Sequence, residues 1–105
     1  MKDEEIRRMI ASALSRKKII WNKHALERMI QRGISRSDVL LGLNKYEIIE
    51  IYSDDYPFPS FLLLGFSHMK PLHILIGINK NDIEIYELDR QLELLTLYEI
   101  YKNEI

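Results

Sequence analysis

Helical spacing of apolar residues up to Lys45 and β-forming runs from Tyr46 onward, with no linker between them, put this chain in the α+β class. The arrangement expected is N-terminal helices packed on a C-terminal antiparallel sheet. The 105 residues are 47% hydrophobic and 30% charged with only 4 Gly and 3 Pro, enough for one core, so residues 1–105 are read as a single domain. The absence of Cys removes disulfide staples, thiol nucleophiles and Cys-ligated zinc, and fits a reducing cytoplasm. The opening MKDEEIRRMI carries acids where a signal peptide carries an apolar stretch, and no apolar run approaches the roughly 20 residues of a membrane span. A soluble, cytoplasmic protein is expected.

Residues 3–15 are expected as a helix because Ile6, Met9, Ile10, Ala13 and Leu14 recur at helical spacing, with Asp3 placed to cap and Glu4 and Glu5 at the positive end of the dipole. Lys18 to Trp21 reads as a short strand. Asn22 then serves as the N-cap of a helix from Lys23 to Arg32, with Trp21 and Leu26 as a hydrophobic staple and Gly33 as the left-handed stop. Ser35 and Asp38 have capping-box spacing, Ile34 and Val39 repeat the staple, and a third helix runs to about Leu43. Strands are expected at Tyr46 to Tyr52, Phe61 to Ser67, Leu72 to Asn79, Ile83 to Glu87 and Leu92 to Tyr101, with a loop at Ser53 to Ser60 and a hairpin turn at His68 to Pro71. Leu72, Ile74, Ile76 and Ile78 form an all-aliphatic face that reads as core, while His73, Leu75 and Gly77 take the other face. In the last strand Thr96 and Tyr98 share a face with Leu94 and Ile100.

The net charge of −1 conceals a division of the chain. Residues 1–45 hold 11 Lys+Arg against 5 Asp+Glu, whereas residues 46–105 hold 4 against 11. Between Arg16 and Arg36 seven bases face one acid, Glu27. Such a field attracts a phosphate backbone or an acidic protein, and the same composition also describes a solvated helical surface.

The helix Lys23 to Arg32 carries the clearest chemical pattern, because at 100° per residue His24, Arg28 and Arg32 fall within an arc of about 80°. Ala25, Leu26, Met29 and Ile30 occupy the opposite side. A neutral imidazole among cations suits a general base beside a phosphate that the guanidinium forks hold. The same spacing equally describes an exposed histidine and two surface arginines, and on that exposure His24→Ala is expected to shift stability within ~0.5 kcal/mol. His73 is a second candidate on its strand, and Tyr98 a third as a hydrogen-bond donor or proton-transfer group. His68 is expected exposed in its turn, and Tyr56 and Phe58 are expected chiefly to cover the core. No metal-ligand spacing, phosphate-cradling Gly loop or nucleophile elbow is present, so no metal or cofactor is expected.

The stretches Lys23 to Met29 (KHALERM), Gln31 to Ser35 (QRGIS), Glu47 to Glu50, Leu62 to Gly65, Pro71 to Ile74 (PLHI) and Leu95 to Glu99 (LTLYE) resemble, in that order, the family termed domain of unknown function 4258. The resemblance spans about Ile20 to Glu99, with a family core at 18–101, a helical extension at 1–16 outside it, and Lys80 to Gln91 as an addition to the usual pattern. It implies a RelE-like fold and the toxin of a type II toxin–antitoxin pair, partnered by a cognate antitoxin that can carry a zinc-finger segment. It further implies a metal-independent endoribonuclease acting on RNA through the ribose 2′-hydroxyl, with His24 as base or acid, Arg28 and Arg32 as phosphate ligands, and His73 and Tyr98 as further proton-transfer groups. The competing reading is a non-catalytic nucleic-acid- or protein-binding module that uses the same basic face. On either reading His24, Arg28 and Arg32 should meet the sheet margin near His73 or Tyr98.

Overall fold

The computed structural model describes residues 2–80 and 82–90, which run α1 (Asp3–Ser15), β1 (Ile19–Trp21), α2 (Lys23–Arg32), α3 (Arg36–Asn44), β2 (Tyr46–Tyr52), β3 (Ser60–Ser67), β4 (Lys70–Asn79) and β5 (Asp82–Asp89). The strand expected over Leu92 to Tyr101, with Thr96 and Tyr98, lies outside the described residues. An α+β fold results, and among the described residues no helix is long and apolar enough to cross a membrane.

Local chemistry sets most helix ends. Asn22 accepts the His24 backbone N–H, and Gly33 at φ 64° closes α2. Ser35 and Asp38 exchange hydrogen bonds as a capping box, with Ile34 and Val39 both buried. The expected Asp3 cap is not formed. Lys2 takes the cap position, and Asp3, one residue into α1, accepts from Arg7 Nε at 2.6 Å one turn along. At its other end α1 stops in a Schellman motif, with Lys18 N–H bonded to Ala13 O, Lys17 N–H bonded to Leu14 O, and Lys17 at φ 56° where glycine is usual.

The sheet is ordered β1-β5-β4-β3-β2. It is mixed rather than wholly antiparallel: β2 to β5 pair antiparallel, and β1 joins β5 in parallel with Ile19 opposite Ile83 and Trp21 opposite Ile85. Hairpins between consecutive strands are set by local turns, such as the β3–β4 turn where His68 and Met69 both have positive φ, so β4 begins at Lys70 and Pro71 is inside it. The β1–β5 contact joins residues from opposite ends of the described chain, and no local turn encodes its direction.

All three helices bury their apolar residues in one cluster on a single face of the sheet. Ile6, Ile10 and Ala13 of α1, Ala25 and Met29 of α2, and Val39 and Leu43 of α3 meet Phe61, Leu63, Leu72, Ile74, Ile76, Ile78, Ile83, Ile85 and Leu88. Each fully buried aliphatic side chain contributes about 1.5–3 kcal/mol. Ile30, expected on the apolar side of α2, is 84% exposed, and Tyr56, expected to cover core, is 92% exposed. Close approach between α3 and β3 depends on paired glycines, since a Cβ on Gly65 would lie 2.6 Å from Gly42 O.

A bulge in β5 decides the rest. Ile83 and Ile85 point into the core, so strict alternation would send Glu87 there too. The register shifts between Leu75 and Ile76 of β4, so Ile76 pairs with Ile85 and Leu75 with Glu87, and Tyr86 is the extra residue. Leu88 thereby takes the next core position, and Glu87 and Asp89 join Leu75 and His73 on the opposite face.

Candidate active site

Beyond Trp21 the β1–β5 pairing ends with Asn22 N–H on Ile85 O, and α2 takes over the outer flank of β5. Helix and strand run side by side with matched reach. From Asn22 to Arg32 the helix rises about 15 Å, and from Glu84 to Asp89 the strand advances about 16 Å. Three contacts climb this seam in order: Asn22 Nδ2 donates to Glu84 Oε2 at 3.0 Å, His24 Nε2 lies 2.5 Å from Glu87 Oε2, and Arg32 Nη1 donates to Asp89 Oδ1 at 2.9 Å.

Glu87 is the centre of the seam. Its side chain is 0% exposed, yet both oxygens are occupied. Oε2 faces His24, while Oε1 accepts Leu88 N–H at 3.1 Å and faces Arg28 Nε at 3.3 Å, an ion pair without hydrogen-bond alignment. A carboxylate can only accept, so the hydrogen on this contact belongs to His24 Nε2, which makes Nδ1 the basic nitrogen of the neutral ring. The arrangement is that of an imidazole oriented by a buried acid, the element common to many general bases. His24 retains 20% side-chain exposure and Arg28 23%, so both touch solvent at the mouth of the seam.

The helix face Asn22, His24, Arg28 and Arg32 thus meets the sheet margin, and the expectation of an exposed His24 is corrected: it is mostly covered because Glu87 holds it against β5. The face is also less basic than its sequence, since Glu87 and Asp89 stand against Arg28 and Arg32. His73 is 4% exposed and lies directly across the ladder from Asp89, on the same sheet face as Glu87. The fold therefore brings His24, Arg28, Arg32 and His73 to one region, and Tyr98 lies outside the described residues.

Sequence reasoning missed Glu87 and Asp89. The signal was present in the alternation of β5, where apolar positions Ile83, Ile85 and Leu88 break step at Glu87 and thereby announce a bulge.

A second charged group sits on α3 and the β3–β4 turn. Asp38 accepts from the Ser67 hydroxyl and the Ser35 backbone N–H, and lies 3.4 Å from both His68 Nε2 and Arg90 Nη2. The Ser67 hydrogen bond, more than any other contact, lowers the Asp38 carboxyl to about 2. His68 is exposed, as expected. Among the described residues no three His, Asp or Glu side chains converge as metal ligands would.

Residues 21–87 match the family described as Domain of unknown function (DUF4258). The span takes in Trp21, α2, α3 and the sheet as far as Glu87, and so holds His24, Arg28, Arg32 and His73. It ends before Leu95 to Glu99, and it includes Lys80 to Glu87, the greater part of the segment expected as an addition to the family pattern. Comparison with curated proteins and with solved structures finds no match.

Proposed function

The chain belongs to the family described as Domain of unknown function (DUF4258), and from that premise we propose that it is a metal-independent endoribonuclease of RelE-like type, the toxin of a type II pair, acting in the cytoplasm and held in check by a cognate antitoxin. The observation that carries this reading is the 2.5 Å contact between His24 Nε2 and the buried Glu87 carboxylate, at a solvent-accessible mouth lined by arginines. His24 takes the ribose 2′-hydroxyl proton, O2′ attacks the adjacent phosphorus, and the P–O5′ bond breaks. The 5′ oxygen leaves with a proton from an acid, for which His73 and Tyr98 are the candidates, so the products are a 2′,3′-cyclic phosphate and a 5′-hydroxyl. Arg28, which faces Glu87 through Nε and donates to Gln31 Oε1 through Nη1, presents Nη2, and Arg32, which donates to Asp89 through Nη1, presents its other N–H groups, to the phosphate oxygens, where they stabilise developing charge. Base, acid and cations are all side chains, so the scheme calls for no metal.

The neutralisation of Arg28 and Arg32 by Glu87 and Asp89 favours a second reading, a non-catalytic nucleic-acid- or protein-binding module. Incubation of purified protein with end-labelled RNA separates the two. His24→Gln is the informative variant, because a glutamine amide can still donate to Glu87 but cannot take a proton. Cleavage should fall by roughly 10²-fold or more with the fold intact. RNA bound but left whole by the unaltered protein transfers the assignment to the binding module.

A further inference from the structure

Of the seven bases between Arg16 and Arg36, Arg16 donates to Ser12 Oγ within α1's last turn, and the fold divides the other six into two sets. Arg28 and Arg32 turn toward β5, where each stands against a buried acid. Lys17, Lys18, Lys23 and Arg36 remain exposed, and none of them forms an ion pair among the described residues.

All four belong to the surroundings of β1. Lys17 and Lys18 lead into it, with Lys17 held in the left-handed conformation that closes α1. Lys23 opens α2 just beyond the end of β1. Arg36, at the start of α3, lies over the Trp21 ring at 5.2 Å. From Lys17 to Lys23 the chain spans at most about 20 Å. Because β1 is an outer strand of the sheet among the described residues, these cations lie along a strand edge rather than a packed face. Ile20, the middle residue of that strand, is exposed between them. The nearest acid in sequence is Glu27, one turn beyond Lys23 and not paired with it. His24 follows Lys23, so this edge leads straight into the α2–β5 seam.

We infer that the outer edge of β1, with Lys17, Lys18, Lys23 and Arg36, is the docking surface for the phosphate backbone of single-stranded RNA, and that Arg28 and Arg32 act only on the phosphodiester at the seam. The inference rests on the ribonuclease reading above and adds the surface that captures the substrate. Charge complementarity selects the occupant. A guanidinium in contact with its own buried acid adds little net field at a distance, whereas an unpaired exposed cation attracts a polyanion and releases condensed counterions when it binds.

Fluorescence anisotropy of a labelled 2′-O-methyl RNA oligonucleotide, which lacks the attacking hydroxyl, measures binding without cleavage across a salt titration. The triple variant K17A/K18A/K23A removes three exposed side chains, and circular dichroism checks that the fold is kept. Its log–log salt slope should be shallower than that of the unaltered protein by about 2, at about 0.7 per phosphate contact. Affinity at about 0.1 M salt should fall by roughly 10²-fold, the same slope carried over a decade of salt. If the unaltered protein binds or cleaves RNA and the triple variant keeps its slope, the inference is overturned while the ribonuclease reading stands. If the unaltered protein neither binds nor cleaves RNA, the ribonuclease reading falls. Lysine-dependent binding of polyglutamate in place of RNA would assign the edge to an acidic protein and overturn the inference.

Discussion

Replacing His24 by Ala tests the seam through stability alone. Oε2 of Glu87 is completely buried and receives one hydrogen bond among the described residues, from His24 Nε2. Without the imidazole that oxygen keeps only the influence of Arg28 and Leu88 on its neighbour Oε1. A hydrogen bond to a charged group contributes about 1.5–3 kcal/mol, and leaving a buried acceptor without a donor costs about as much again unless water enters. Because His24 lies at the mouth, water can fill part of the vacated space. The expected loss is therefore about 2 kcal/mol, which in a domain of this size lowers Tm by roughly 10 °C. Urea denaturation followed by circular dichroism on His24→Ala, Glu87→Gln and the double variant completes a cycle, and the coupling energy should be at least about 1 kcal/mol. A loss under ~0.5 kcal/mol with additive effects would mean that His24 is an ordinary surface residue and that Glu87 does not orient it.

Met29→Ala should destabilise by about 2–5 kcal/mol in the same denaturation assay, because Met29 is buried between α2 and the sheet and its loss leaves a cavity. An unchanged midpoint would reverse the orientation given to α2. Asp38→Asn should destabilise near neutral pH, since the folded carboxyl titrates at about 2 against 3.8 for the unperturbed group. A depressed folded pKa adds stability above the unfolded value that disappears as pH falls through the folded one, so the difference between the two proteins should shrink from about pH 4 and vanish near pH 2. A gap that is constant across that range would remove the Ser67 and Ser35 hydrogen bonds as its cause.

Where a residue acts on its own neighbours, the linear chain was enough. Asn22, Gly33 and the Ser35/Asp38 box mark helix ends because their hydrogen bonds close within a few residues, and these ends appear where expected. The Leu72, Ile74, Ile76 and Ile78 row identified the core face of β4 for the same reason, since alternation is a property of one strand. Alignment of His24, Arg28 and Arg32 on one side of α2 likewise follows from helical geometry. Asp3 was the local exception, drawn off to Arg7 although its side chain suits a cap.

What those three side chains face was not legible in the same way. A shift of one residue in the β4–β5 ladder moves Glu87 from the core face to the seam, and such a shift is an energy balance between strands rather than a property of either. The parallel seat of β1 on β5 joins chain ends that no turn connects, and it brings α2 alongside the acids of β5. Charge shows the consequence most clearly. In sequence most bases lie in the first part of the chain and most acids in the second, and only folding matches Arg28 with Glu87, Arg32 with Asp89 and, in the opposite sense, Arg90 with Asp38, which separates cations that hold the fold from those around β1 left facing solvent. Coulombic attraction acts through a few ångströms of space whatever the separation along the chain, so the division between structural and available charge belongs to the three-dimensional arrangement alone.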